Sequence, residues 1–371
     1  MSEDGNLWCQ EVDCPAGTLP QLMRYGDYLG DLKILELKRV LLAATIYKVE
    51  RGFGKETEVF LMKMANPSPE NERYVCQEAA VIRSLTEQNF AHNALPKWRH
   101  HGAANGQDAF GVATVGEQTR FYYLMEYVEG EFLFDILLDN PQPWHEHVGW
   151  FMISLCEAVY NIQKLTGKLH LNINPDMLLV QRNNAGVLQP VLLDMGLQIA
   201  PETPLSAEQS DEVRHYLLPA YTHPILVTGG VIPARADVFG LSLILYEMLA
   251  GKPSYPYVRR RTEDIYRAMR QLPPPLERVD LPSEARYGRK QKGTQSLLTV
   301  LQNAINNGLT GAYKDVSEFR QALYDLYGDI EVRKEFRFKS FLQRTSAVII
   351  GAVLVGFLLY LLVVFVTAVT R

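Results

Sequence analysis

Residues 169–196 read LHLNINPDMLLVQRNNAGVLQPVLLDMG. Asn174 and Pro175 set a turn, and two short apolar runs follow, 178–180 and 188–193. The turn-forming residues Asn183 to Gly186 separate them, a pattern that predicts a pair of short strands. The stretch ends on an acid, a methionine and a glycine, Asp194-Met195-Gly196. Upstream, WHEHVGWFMISLCEAVYNIQKL (144–165) has the spacing of a long amphipathic helix. Downstream lies an irregular acidic loop, then the apolar helix ADVFGLSLILYEML (236–249), and further helices over 292–328.

The first part of the chain has a different pattern. The stretch 33–66 alternates and is rich in β-branched residues, and it predicts two strands joined by a turn at Gly52–Gly54. ERYVCQEAAVIRSL (72–85) has helical spacing, and FYYLMEYV (121–128) reads as another strand. A small β-rich lobe thus precedes a larger helical one.

This order of motifs resembles the protein kinase fold across most of residues 33–328, and it implies an α+β, bilobal architecture. LHLNINPDMLLV resembles the catalytic loop, LLDMG the metal-binding turn, and LMEYVEG (124–130) the hinge between lobes. Met125 then stands at the gatekeeper position, and Glu126 and Val128 are further nucleotide-contacting positions. Lys63 in VFLMKM resembles the phosphate-binding lysine, Glu78 its ion-pair partner, and Asp194 the metal ligand. Asp237, opening the central helix, would hold the catalytic-loop backbone. His170, Met195 and Ile82 would form the apolar stack that links the lobes.

Several positions depart from the family pattern. Asn172 stands where the catalytic aspartate is expected, and an amide cannot accept a proton near neutral pH. Asn174 replaces a lysine. Met177 replaces the second metal ligand, and a thioether suits a hard cation poorly. Arg39, Leu41 and Ala44 occupy the three glycine positions of the phosphate-binding loop, where only glycine lets the backbone approach phosphates. Leu61 would intrude on the adenine site. Leu218-Pro219-Ala220 aligns with Ala-Pro-Glu without its glutamate, and its arginine partner is also missing. Thr203, Ser206 and Ser210 read as ordinary loop residues, because neighbouring acids would repel phosphate.

The resemblance and its departures together imply a pseudokinase that works as a signalling scaffold or allosteric partner, with little or no phosphoryl transfer. The alternative is a weak or unconventional ATP-dependent Ser/Thr protein kinase. Any ATP binding is expected to be weak and to depend little on Mg²⁺. The expected protein partner is an active kinase or a membrane protein.

The 371 residues carry a formal charge of −5, which argues against a nucleic-acid partner. Hydrophobic residues make up 47% and charged residues 21%, ordinary globular usage. Cys9 and Cys14 read as free thiols, since a zinc site needs four ligands. Residues 345–370 contain no charged side chain, and Arg333, Lys334, Arg337, Lys339 and Arg344 precede them. That pattern predicts a single transmembrane helix in the lipid bilayer with the N-terminal part in the cytoplasm. The expected organisation is an extension (1–32), a kinase-like domain (33–328), a basic juxtamembrane segment (329–344) and the membrane helix (345–370).

Overall fold

A computed structural model describes residues 20–53, 56–88, 90, 92–100, 108–183, 186–214, 216–257, 261–278 and 296–328. The predicted juxtamembrane segment, the predicted membrane helix and both N-terminal cysteines lie outside the described residues. Among the described residues no helix is long and apolar enough to cross a membrane.

The N-terminal sheet is antiparallel throughout. Its strands are β1 (Tyr28–Leu29), β2 (Leu32–Val40), β3 (Ala44–Phe53), β4 (Glu56–Ala65), β5 (Trp98–Arg99), β6 (Gly111–Val115) and β7 (Gln118–Glu126). The order is β1-β2-β3-β4-β7, with β5 and β6 both pairing with β7. Side-chain alternation sets two buried faces. Phe60, Met62 and Met64 of β4 join Tyr47, Val49, Tyr122 and Leu124 on the outer face. Leu61 and Ala65, with Ile46, Tyr123 and Met125, face the main core.

The structure corrects one element. The run 34–50, expected as a single strand, is split into β2 and β3 at Leu41–Ala43. Three apolar residues in a row conceal this turn. Asn66 stabilises it, donating from Nδ2 to the carbonyl oxygens of Leu41 (2.8 Å) and Leu42 (3.1 Å). β3 and β4 are antiparallel neighbours, with Gly52 opposite Thr57 and Phe53 opposite Glu56. The turn expected at Gly52–Gly54 lies partly outside the described residues.

Helix α1 (Pro69–Glu87) starts as its sequence dictates. Ser68 caps it by accepting from the Asn71 N–H at 3.1 Å, and Pro69 takes the first position, where a missing N–H costs nothing.

The C-terminal part is mainly helical. It contains β8 (Glu131–Phe132), α2 (Leu133–Asp139), α3 (His145–Thr166), β9 (Leu178–Arg182), β10 (Leu188–Leu192), β11 (Pro204–Leu205), α4 (Ala207–Arg214), α5 (Ile225–Thr228), β12 (Gly230–Val231), α6 (Ala236–Ala250), α7 (Thr262–Ala268), α8 (Leu297–Thr310) and α9 (Val316–Tyr327). Helix α6 is buried from Ala236 to Leu249, which explains its lack of a polar face. Helices α8 and α9 pack against α6 and α3. Gly149 permits the closest approach between α3 and α9, because a Cβ there would meet the Tyr327 ring.

Between β9 and β10 the Val187 N–H donates to Asn183 Oδ1 at 3.0 Å.

Candidate functional site: the cleft around Asp194

Lys63 projects from β4 into a site where it is 1% exposed. Its Nζ donates to Glu78 Oε1 of α1 at 2.7 Å and to Asp194 Oδ2 at 2.9 Å. One ammonium thus serves two buried acids, and their environments differ. Burial pushes the Glu78 carboxyl up to about 7, against the pull of Lys63. Burial also opposes ionisation of Asp194, but Lys63 and His170 overcome it and hold that carboxyl below its ordinary range. Asp194 is therefore the firmly ionised member.

Asp194 Oδ1 is engaged as well. It accepts from the Gly196 N–H at 2.6 Å and from the Tyr74 hydroxyl at 2.8 Å. Tyr74 lies one helical turn before Glu78 on α1, and its ring stacks on Tyr216 with centroids 4.7 Å apart and planes 8° apart. Burial, reinforced by Asp194 and Glu78, holds the Tyr74 phenol well above its ordinary range, so it stays a donor.

Asp237 of α6 accepts from the backbone N–H groups of His170 (2.8 Å) and Leu171 (2.6 Å), the support the sequence implied. His170 Nε2 lies 2.9 Å from the Asp194 carbonyl oxygen. Ile82 and Met195 are each 1% exposed and lie in the same core cluster.

Asn172 lies beside this cluster, 3% exposed, and its Oδ1 accepts from Asn174 Nδ2 at 3.0 Å. Met177 lines the same cleft. Glu126 and Val128 are set apart. The Glu126 carboxylate is 3.7 Å from Arg99, and its N–H donates to the Lys97 carbonyl at 2.8 Å. Val128 is half-buried against the core.

A second constellation joins β2 to α2 and to the turn before β9. Arg39 of β2 donates to both carboxylate oxygens of Asp135 on α2, at 3.0 and 3.1 Å. Its Nε donates to Asp176 Oδ1 at 3.0 Å. Its guanidinium also lies over the rings of Phe132 (5.0 Å) and Phe134 (5.2 Å).

A pocket beside Lys63 and Asp194, lined by Leu41, Ala44, Asn172, Met177 and Tyr216 among others, has a volume of about 10 Å³. That is roughly the room of one water molecule. Small-molecule sites run to ~300–1,000 Å³. Leu61, 1% exposed, is packed into the core beneath the same strand.

Mg²⁺ needs near-octahedral oxygen ligands and keeps several waters. Both Asp194 oxygens are already taken by nitrogen and hydroxyl donors, and the second ligand position holds a sulfur. These residues do not fit the ion. Among the described residues no group of three or more His, Cys, Asp or Glu is arranged to hold a metal.

Sequence reading missed Tyr74, Asn66 and the partners of Arg39. Tyr74 looked like an ordinary core position of an amphipathic helix. The spacing of four to Glu78, which puts both on one helix face, was the available signal. Arg39 read only as a lost glycine. Helix α4 was missed too, although Ser206 and Gln209 carry its signature. Ser206 N–H donates to Gln209 Oε1 (3.0 Å) and Gln209 N–H to Ser206 Oγ (3.2 Å), a reciprocal cap. Pro219 opens one short turn and Pro224 caps the start of α5.

No protein-family model matches the chain. The chain is similar to Serine/threonine-protein kinase PknB of Mycobacterium leprae, 30% identical over 135 residues, 36% of this chain and 20% of that protein. It is also similar to PknB of Mycolicibacterium smegmatis, 27% identical over 205 residues, 54% of this chain and 30% of that protein. A third relative is Serine/threonine-protein kinase DCLK3 of Mus musculus, 25% identical over 149 residues, 40% of this chain and 18% of that protein. The domain is protein-kinase-like. The matches span under a third of those relatives' own length. The order of a β-sheet, the Lys63–Glu78 pair and the Asp194 turn is thus present in a chain that leaves little room beside Lys63 and Asp194.

Proposed function

We propose that the protein is a membrane-anchored pseudokinase. It acts by binding, as a scaffold or allosteric partner of an active kinase or a membrane protein. The observation that carries this reading is the Tyr74 hydroxyl on Asp194, in a cleft with room for about one water. Phosphoryl transfer is mostly positioning and charge stabilisation around a bound nucleotide and its metal ions. Here the place for the nucleotide is filled, the metal ligands are engaged or replaced, and Asn172 offers an amide where the substrate hydroxyl needs a carboxylate. The anchor is read from the uncharged stretch 345–370 and the basic residues before it, a charge bias that favours a cytoplasmic domain.

A weak Ser/Thr kinase is the second reading. The buried Lys63–Glu78–Asp194 cluster favours it, because binding and electrostatics alone sustain some catalysis. The test is transfer from γ-labelled ATP by the full chain in lipid nanodiscs, with Mg²⁺ or Mn²⁺, to itself and to a generic protein substrate. The pseudokinase reading expects no incorporation. Incorporation by the wild type that disappears in Asp194→Ala would establish the second reading.

A further inference from the structure

We infer that Tyr74 and Arg39 form a built-in stopper that holds the cleft shut without any ligand. The inference rests on the reading of the cleft as unused for transfer, and it supplies a physical cause.

The two side chains close the cleft at different depths. At the base, Tyr74 from α1 donates to Asp194 and stacks on Tyr216 of the loop after it, joining three segments in one contact. Beside the pocket residue Leu41, Arg39 reaches from the β2 strand end to Asp135 of α2 and to Asp176 in the turn before β9. These partners are 96 and 137 residues away in sequence, so the contact crosses between the sheet and the helical part. Asn66 fixes the turn that follows Arg39, leaving Leu41 8% exposed over the cavity. Leu41, Tyr74 and Tyr216 all line what space remains.

A cleft that serves a ligand closes because the ligand supplies bridging contacts. Here the bridging groups belong to the chain, so they act at the high effective concentration of an intramolecular contact. The closed arrangement then does not depend on nucleotide. Any partner that reads the relative placement of sheet and helices finds it ready.

The test uses the full chain in nanodiscs and hydrogen exchange without added ligand. The probes are the amides of Leu41 and Asn66, bonded at 2.8 Å to the Ala44 and Ala43 carbonyls. Arg39→Ala with Tyr74→Ala is the first variant. Arg39→Gln with Tyr74→Phe keeps the bulk and removes the charge and hydroxyl, and it serves if the first does not fold. We expect exchange at both amides to rise at least about tenfold, because closure sets local opening there. The opened alanine variant should also bind a fluorescent ATP analogue that the wild type does not. Unchanged exchange in the folded variant, or equal binding by wild type and variant, overturns the stopper. Phosphate transfer by the wild type is a separate readout and bears on the proposed function.

Discussion

Leu171 donates its backbone N–H to Oδ1 of Asp237 at 2.6 Å while its own φ is +66°. A leucine in the left-handed region is strained, and a buried carboxylate 66 residues away in sequence holds it there. The same carboxylate accepts from His170 N–H at 2.8 Å and from Gln163 Nε2 at 2.7 Å. Asp237→Ala removes all three hydrogen bonds and leaves two buried amide donors alone. We expect a loss of about 3 kcal/mol in urea unfolding, with Asp237→Asn losing less because one oxygen remains.

The second prediction concerns Lys63. Its removal leaves Glu78 and Asp194 buried without their shared cation. Lys63→Met should cost about 3–5 kcal/mol of stability, the penalty of an orphaned buried charge. Adding Glu78→Gln should recover part of that loss. Equal stability of wild type and Lys63→Met would show that the pair is not buried as described.

Glu247 supplies a pH dependence. The Glu247 carboxyl on α6 accepts from the Tyr221 hydroxyl. Burial pushes it from an ordinary 4.5 to about 7, with the nearby Asp176 adding to the rise and the Tyr221 hydrogen bond opposing it. The native state therefore keeps a proton that the unfolded chain releases from about 4.5 upward. The stability this contributes is full below about 4.5 and is lost as pH rises through about 7. Unfolding at pH 5 and pH 8 should show Glu247→Gln losing roughly 2–3 kcal/mol less than wild type over that interval. A parallel loss in both proteins would remove Glu247 as the cause.

Gly196 gives a steric prediction. Its φ is +73°, and a Cβ there would run into the His170 carbonyl oxygen. Gly196→Ala should lose more than about 2 kcal/mol in denaturant unfolding, through strain and collision together.

These residues also show what the sequence could and could not reveal. Lys63, Glu78, Asp194 and Asp237 were legible because their spacing and order match a family pattern, and the structure puts them in one buried region. The long helices α3 and α6 were legible from periodicity and from continuous apolar character. The break between β2 and β3 was not, because Leu41-Leu42-Ala43 carries none of the glycines that mark turns. Instead a side-chain amide from Asn66, over twenty positions later, holds the turn. Arg39 was legible only as a missing glycine. Its role depends on Asp135 and Asp176, which no local pattern connects to it. Tyr74 was hidden for a related reason, since a tyrosine on the buried face of a helix has the same periodicity whether it packs or donates to a carboxylate.

The chain's own side chains leave room for about one water beside Lys63 and Asp194. The most direct measurement is thermal unfolding of the full chain in nanodiscs, with and without millimolar ATP, each with and without Mg²⁺. A ligand at free concentration L that binds only the native state stabilises it by RT ln(1 + L/Kd) and so raises the melting temperature. No shift under any condition is the result the filled cleft predicts. A clear rise with ATP and Mg²⁺ that is lost in Asp194→Ala would contradict it.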